Sequence, residues 1–196
     1  MFNGIKPVGY KWFYKRKRGI DGNVETFKVS LMAKGYTQKE GIDYKEIFSP
    51  VTMLKSIRIL LSIAADYDYE IWQMVIKTAF QNGNLEEEIY MMQPKDFIAK
   101  NQKHMVCKLR RSIYGLKQAS RSLNIRFDQA IKSFGFEQNH DVPCVYKRHQ
   151  DKVVMFLVLY VDDILLIGND VRVMSSVKVW LSSQFDMKDL AKLTIF

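Results

Sequence analysis

Two short apolar runs, Val153–Leu159 and Ile164–Ile167, flank the tetrapeptide Tyr160-Val161-Asp162-Asp163. Runs of this kind, rich in Val, Leu and Ile, read as the arms of an antiparallel hairpin. Two adjacent carboxylates at the tip of an apolar hairpin are costly unless something cationic is held there. The arrangement points to a two-metal phosphoryl-transfer site. Taken alone, it reads first as a polar hairpin turn.

The remaining sequence limits the choice. The chain has 196 residues, 47% of them apolar, enough for one domain with a real core. Its net charge is +9 and its pI about 9.4. That balance favours a polyanionic partner, most simply nucleic acid, over an acidic one. Cys107 and Cys144 lack metal-ligand spacing and read as buried, reduced thiols of an intracellular protein, cytoplasmic or nuclear. The longest apolar run, Val153–Val161, is far too short to span a membrane, so no membrane partner is expected. The start, Met1-Phe2-Asn3-Gly4, carries no signal-peptide pattern.

Lys11–Arg18 and Val24–Met32 are extended candidates joined across Asp21-Gly22, a hairpin signal. After Ser49-Pro50 a helical pattern puts Leu54, Ile57, Leu60, Leu61 and Ala64 on one face, with Thr52 as its cap. Ile71–Ile76 reads as a buried strand, ended by the turn Asn82-Gly83-Asn84. Arg121–Phe134 is a second helix, with Leu123, Phe127, Ala130, Ile131 and Phe134 inward and Gly135 as its stop. The acidic hairpin follows. A third helix, Val171–Gln184, turns Val173, Val177, Trp180 and Leu181 inward. This order predicts an α+β domain with helices on one face of an antiparallel sheet. The terminal stretch Lys188–Phe196 begins an apolar run and stops, as expected of a chain cut within a domain.

Many ordered motifs together carry a family resemblance. They include Tyr10-Lys11-Trp12, Ala33-Lys34-Gly35-Tyr36-Thr37-Gln38, Gly41-Ile42-Asp43-Tyr44 and Phe48-Ser49-Pro50-Val51. They continue through Lys77-Thr78-Ala79-Phe80, Leu85-Glu86-Glu87-Glu88-Ile89-Tyr90-Met91, Tyr114-Gly115-Leu116-Lys117-Gln118-Ala119 and Tyr160-Val161-Asp162-Asp163-Ile164-Leu165. From about Lys6 to about Leu190 the chain resembles the reverse transcriptase domain of copia-type LTR retrotransposons. The resemblance implies the fingers and palm of a right-hand polymerase. Fingers would fall at about 1–50 and 83–122, and palm at about 51–82 and 123–196, stopping before a thumb. It implies RNA-directed DNA synthesis on an RNA or DNA primer–template from deoxynucleoside triphosphates, with two Mg²⁺ ions.

Two dications about 4 Å apart repel by roughly 17 kcal/mol at an effective dielectric near 20, which is why such a site gathers carboxylates. By resemblance Asp162 and Asp163 are two of three metal-binding aspartates. The family's Gln-Met-Asp-Val-Lys-Thr-Ala-Phe reads Gln73-Met74-Val75-Ile76-Lys77-Thr78-Ala79-Phe80 here, so Val75 occupies the third position. Valine cannot ligate a metal. Glu70, about 17 Å away along a strand and on the opposite face, cannot replace it. Asp66 and Asp68 are farther, and no local substitute is evident.

The resemblance also gives Phe80 the exclusion of a ribose 2′-hydroxyl, Gln118 a contact with incoming nucleotide and template, and Tyr160 support of the primer end. Lys28 and Lys34 would face triphosphate or template phosphates. Read without it, these are a core aromatic, a loop amide, a strand aromatic and a solvated strand face. A family arginine has become Ser30, and a proline and a tryptophan have become Ser120 and Leu123. Lys108, Arg110, Arg111, Lys117, Arg121 and Arg126, with Tyr114 among them, resemble a nucleic-acid groove. Lys15–Arg18 reads first as a solvated hairpin tip, and Glu86-Glu87-Glu88 as a solvated acidic face. The expectation is a catalytically impaired reverse transcriptase fragment. A non-catalytic nucleic-acid-binding module and a folded, functionless relic stay open beside it.

Overall fold

The structure, a computed structural model, describes residues 6–98, 101–102 and 104–193. The start Met1-Phe2-Asn3-Gly4 and the last three residues of the C-terminal apolar run lie outside them.

Strands β1 (Tyr10–Arg18) and β2 (Val24–Ala33) form an antiparallel ribbon paired only with itself. Its loop takes Gly22 at φ +77°, a left-handed conformation glycine adopts without cost. Helix α1 (Leu54–Asp66) and strand β3 (Glu70–Ile76) follow. Short strands β4 (Tyr90–Met92) and β5 (Val106–Lys108) pair antiparallel. Then come α2 (Ala119–Ser133), β6 (Glu137–Gln138), β7 (Val145–Gln150), β8 (Val153–Tyr160), β9 (Asp163–Gly168), α3 (Val171–Gln184) and β10 (Met187–Leu193). The six longer-range strands make one antiparallel sheet in the order β10-β3-β9-β8-β7-β6.

Alternation along the strands sends side chains to two faces. Met74, Ile76, Leu157, Leu159, Ile164 and Leu166 bury one face against Leu123, Phe127 and Ile131 of α2 and Met174, Val177 and Leu181 of α3. Ile71, Val145, Val158 and Ile167 bury the other against Leu60 and Ala64 of α1. The sheet therefore carries helices on both faces, which corrects the one-face arrangement expected from sequence. The strands are apolar at successive positions because both faces are covered.

The caps explain where the helices begin and end. Asp170 accepts from the Arg172 and Val173 amides at 2.9 and 3.1 Å, an N-cap on α3. At the end of α2, Gly135 lies at φ +89°. Its amide donates to Lys132 O at 3.0 Å, and the Phe136 amide to Ile131 O at 3.2 Å. This is a Schellman stop, closed by the apolar pair Phe136 and Ile131. Thr52 does not cap α1. Its hydroxyl is buried and donates to Leu159 O at 2.8 Å, tying the loop before α1 to β8. Leu54, expected inward, is exposed in the first turn.

Candidate functional site

Strands β8 and β9 meet with Tyr160 directly opposite Asp163, leaving Val161 and Asp162 as the turn. Val161 sits at φ +59°. A β-branched residue is rarely found there, and such backbone costs about 1–3 kcal/mol, a strain that clusters at functional sites. The tip is held from below: the Ile76 amide donates to the Asp162 carbonyl at 2.8 Å.

The adjacent strand decides which side chains surround the carboxylates. Val75 is directly opposite Asp163, and Lys188 of β10 is opposite Val75 on its other side. Directly opposed residues share a face, so Lys188, Val75, Asp163 and Tyr160 form one row. Gln73 lies on the same face, diagonal to Asp163, and its Nε2 donates to Asp163 Oδ1 at 3.2 Å. Phe80 is half-buried and meets the Tyr114 ring edge-on at 4.5 Å between centroids. The Tyr114 hydroxyl has its pKa raised, first by burial and then by the negative charge of Asp162. Phe80, Tyr114 and the acidic tip are thus neighbours.

The donors at the tip are oxygens only: two carboxylates and, in Gln73, an amide. Such a set suits a hard cation of the magnesium or calcium type. Two carboxylates fall short of the three that a pair of such ions would call for. Among the described residues, no group of three or more His, Cys, Asp and Glu is gathered where it could hold a metal.

The other expected site residues lie apart from this row. Gln118 is buried just before α2, not exposed in a loop. Its Oε1 accepts from Gln38 Nε2 at 3.1 Å and its Nε2 donates to Asp43 O at 3.0 Å. These bonds commit the amide to tying the 38–43 loop to α2. Lys117 donates to Gln38 O at 3.3 Å and to the Tyr44 hydroxyl at 3.1 Å. Arg121 pairs with Glu46 at 2.7 Å and donates to Phe48 O. Arg111 donates to Asn84 Oδ1 at 3.1 Å. Lys108 pairs with Glu88. The expected basic groove is therefore largely cross-linked to protein partners. Arg110 is the exception, exposed and without an ion pair or side-chain hydrogen bond among the described residues. Glu87 and Glu88 are likewise engaged, not merely solvated. Lys28 lies exposed on the ribbon, directly opposite Lys15.

A cleft of about 370 Å³ opens beside α2, with Lys45, Glu46, Glu87, Gln118, Arg121 and Arg126 among its walls. Its charges of both signs are partly paired with one another.

Two backbones cross closely between the ribbon and the rest. The Ala33 amide donates to Tyr114 O at 2.8 Å. A Cβ on Gly115, which sits at φ +93°, would stand 2.1 Å from Ala33 O, and one on Gly35 1.9 Å from Gly115 O. Only glycine fits at either place.

Two neighbours of the acidic pair escaped the sequence reading. The odd positions Ile71, Gln73 and Val75 share one strand face, a parity that brings Gln73 beside Asp163, but a neutral amide carries no charge signal in the sequence. Tyr114 gave no such signal, because its approach to Asp162 depends on how distant segments pack.

The sequence pattern of the family described as reverse transcriptase (RNA-dependent DNA polymerase) matches residues 2–196. The chain is 48% identical over 188 residues to the retrovirus-related Pol polyprotein from transposon TNT 1-94 of Nicotiana tabacum, covering 95% of this chain and 14% of that protein. It is 38% identical over 192 residues to the Pol polyprotein from transposon RE1 of Arabidopsis thaliana, covering 98% of this chain and 13% of that protein. The corresponding polyprotein from transposon RE2 of the same plant is 37% identical over 192 residues. The chain spans about one seventh of the length of these curated relatives. No solved structure matches it.

Proposed function

The chain belongs to the reverse transcriptase (RNA-dependent DNA polymerase) family, and from that premise we propose that it is the fingers and palm of a copia-type enzyme whose templated synthesis is impaired. The six-stranded sheet with α1, α2 and α3 is the palm. The β1–β2 ribbon and the segment around β4 and β5 are the fingers. Asp162 and Asp163 are the surviving metal-binding carboxylates, and Phe80 lines the nucleotide position beside Tyr114. A bound Mg²⁺ would supply charge neutralisation to a triphosphate and to the attacking hydroxyl. Tyr160 flanks the primer end, and Gln73 holds the Asp163 side chain. Gln118 acts on the nucleotide only indirectly, by fixing the loop that Lys117 and Gln38 share.

The observation that carries the impairment is Val75 directly opposite Asp163. An aspartate there would add a third carboxylate to the same face of the sheet. Loss of even an outer partner of a metal ligand costs about 10–100-fold in affinity or activity, and loss of a ligand costs more.

Nucleic-acid binding is supported separately. Lys15 and Lys28 oppose each other on an exposed ribbon, where like charges repel unless an anion intervenes. Together with the +9 charge, this favours a phosphate-tracking surface that works without catalysis. Primer extension on an RNA template with Mg²⁺ or Mn²⁺ tests the proposal. Binding of primer–template without measurable extension is expected. Extension near the rate of an intact relative would overturn the impairment, and absence of binding at low salt by folded protein would overturn the polymerase reading.

A further inference from the structure

We propose that the β1–β2 ribbon divides nucleic-acid binding between its two faces, and that Tyr14 and Phe27 on the aromatic face stack the unpaired bases of a single strand. The inference rests on the polymerase reading and names the form of nucleic acid that the ribbon takes.

The pairing register sorts the side chains, because directly opposed residues share a face. Lys11, Phe13, Lys15 and Lys17 fall on one face, with Lys28 opposite Lys15 and Ser30 opposite Phe13. The other face carries Trp12 opposite Leu31, Tyr14 opposite Val29, and Arg16 opposite Phe27. Neither Arg16 nor any of these lysines has an ion pair or side-chain hydrogen bond among the described residues.

The aromatic face is covered only at its base. Trp12 is half-buried there, and its ring meets Phe97 at 6.1 Å between centroids. Beyond it Tyr14 and Phe27 are each 71% exposed, with Val29 exposed beside them. No third strand closes either edge of the ribbon.

Same-face residues recur about every 6.6 Å along a strand. Trp12, Tyr14 and Arg16 therefore form a ladder of planar groups, and Phe27 widens its far rung. Nucleobases stack on aromatic rings and on guanidinium planes, whatever their sequence. A duplex keeps its base faces inside its own stack, so only an unpaired strand can offer them to this ladder. The lysines on the opposite face choose nucleic acid over an apolar protein partner, which would leave their charge unanswered. A strand lying along an open edge sets its bases over the aromatic face, while the long lysine side chains reach round to its phosphates.

The test is binding of three labelled probes to the full 196-residue chain, without divalent ions, by anisotropy across a salt series. The probes are a short oligouridylate RNA, an abasic oligomer of the same length and a blunt duplex. Tyr14→Ala and Phe27→Ala, each checked for folding by circular dichroism, are expected to weaken oligouridylate binding about fivefold or more, the worth of one stacked base. They should leave the salt slope unchanged, and the abasic oligomer and the duplex within twofold of the parent. Tyr14→Trp, which keeps a planar ring, should retain the parent affinity. Lys15→Ala and Lys28→Ala should instead flatten the salt slope on all three probes.

A folded Tyr14→Ala, Phe27→Ala double variant within twofold of the parent on oligouridylate would overturn the inference. So would an equal loss on the abasic oligomer, which has no base to stack. If the lysine dependence persists in either case, only the stacking assignment falls and the polymerase reading stands. If oligouridylate binds through Tyr14 and Phe27 while a primer–template does not bind, the polymerase reading falls and the stacking face stands. Folded parent protein that binds none of the probes at low salt overturns both.

Discussion

Val75 and Asp163 face each other across adjacent antiparallel strands, their Cα atoms in register. An aspartate at 75 would set two carboxylates directly opposite, where like charges destabilise by about 0.2–1 kcal/mol. Valine also suits a strand better than aspartate. Val75→Asp is therefore expected to lower the melting temperature in EDTA by about 2–4 °C for each kcal/mol lost. Added Mg²⁺ or Mn²⁺ should recover that loss in the variant and do less for the parent. Calorimetry with and without the ions checks both. Equal melting temperatures in EDTA would show that the two side chains do not sense each other.

Arg110 and Arg121 should separate binding from stability. Arg110 is exposed and unpaired among the described residues, whereas Arg121 is held by Glu46 and Phe48 O. Each phosphate contact contributes about 0.9 to the slope of log affinity against log salt on a duplex. Arg110→Ala is expected to flatten that slope by about one contact with little change in stability. Arg121→Ala should leave the slope nearly unchanged. Fluorescence anisotropy of a labelled primer–template across a salt series measures both.

The two cysteines should differ sharply in reactivity. Cys144 is buried, and burial raises its thiol pKa despite a hydrogen bond with Thr52 that lowers it. Cys107, on β5, is only half-buried, which corrects the expectation that both are buried. A thiolate is the reactive form, so one thiol should be titrated by a disulfide reagent in native protein and the second only after unfolding.

Alkaline pH should unfold the chain through Tyr146. Its ring is fully buried, and its hydroxyl donates to Asp128 Oδ1 at 3.1 Å. Burial first, and then the Asp128 charge, push its pKa far above the ordinary value of 10.0. The unfolded tyrosine loses its proton near pH 10 while the folded one keeps it. Stability is thus intact below that pH and falls above it, by up to about 1.4 kcal/mol per pH unit. Tyr146→Phe should flatten this alkaline decline while costing about 1.5–3 kcal/mol near neutrality, the worth of a hydrogen bond to a charged group. Urea melts at pH 7 and from pH 10 upward test it.

Gly115→Ala should be among the most damaging single changes. The new methyl would stand 2.1 Å from Ala33 O on a residue at φ +93°. A loss of about 3 kcal/mol is expected, at the upper end of what single substitutions do. Chemical denaturation measures it, with Gly22→Ala as the comparison: that glycine has a similar φ but open space around it.

Much of this architecture is legible in the chain because local and long-range preferences agree. The runs of β8 and β9, the stripe of α2 and the stop at Gly135 each have one strong local solution. What escaped reading lacks that agreement. β10 runs Met187-Lys188-Asp189-Leu190 at its start, too polar to look like a strand, and is drawn into the sheet by pairing with β3. β7 carries Lys147, Arg148 and His149, yet it pairs along its length with β8. Thr52 has every local attribute of a helix cap, but a carbonyl of β8 claims its hydroxyl. The acidic pair stood out in the sequence from its two letters. Its setting was not, because the partners of Asp163 come from a strand 90 residues earlier.

The acidic tip is fastened through main-chain atoms, the Ile76 amide to the Asp162 carbonyl. That bond is indifferent to the side chains at 75, 76 and 162, and a proline at 76 is what would remove it. Shape at the tip is therefore inherited separately from chemistry. Valine and aspartate codons can differ by a single base, so residue 75 can change between them while this main-chain fastening stays in place.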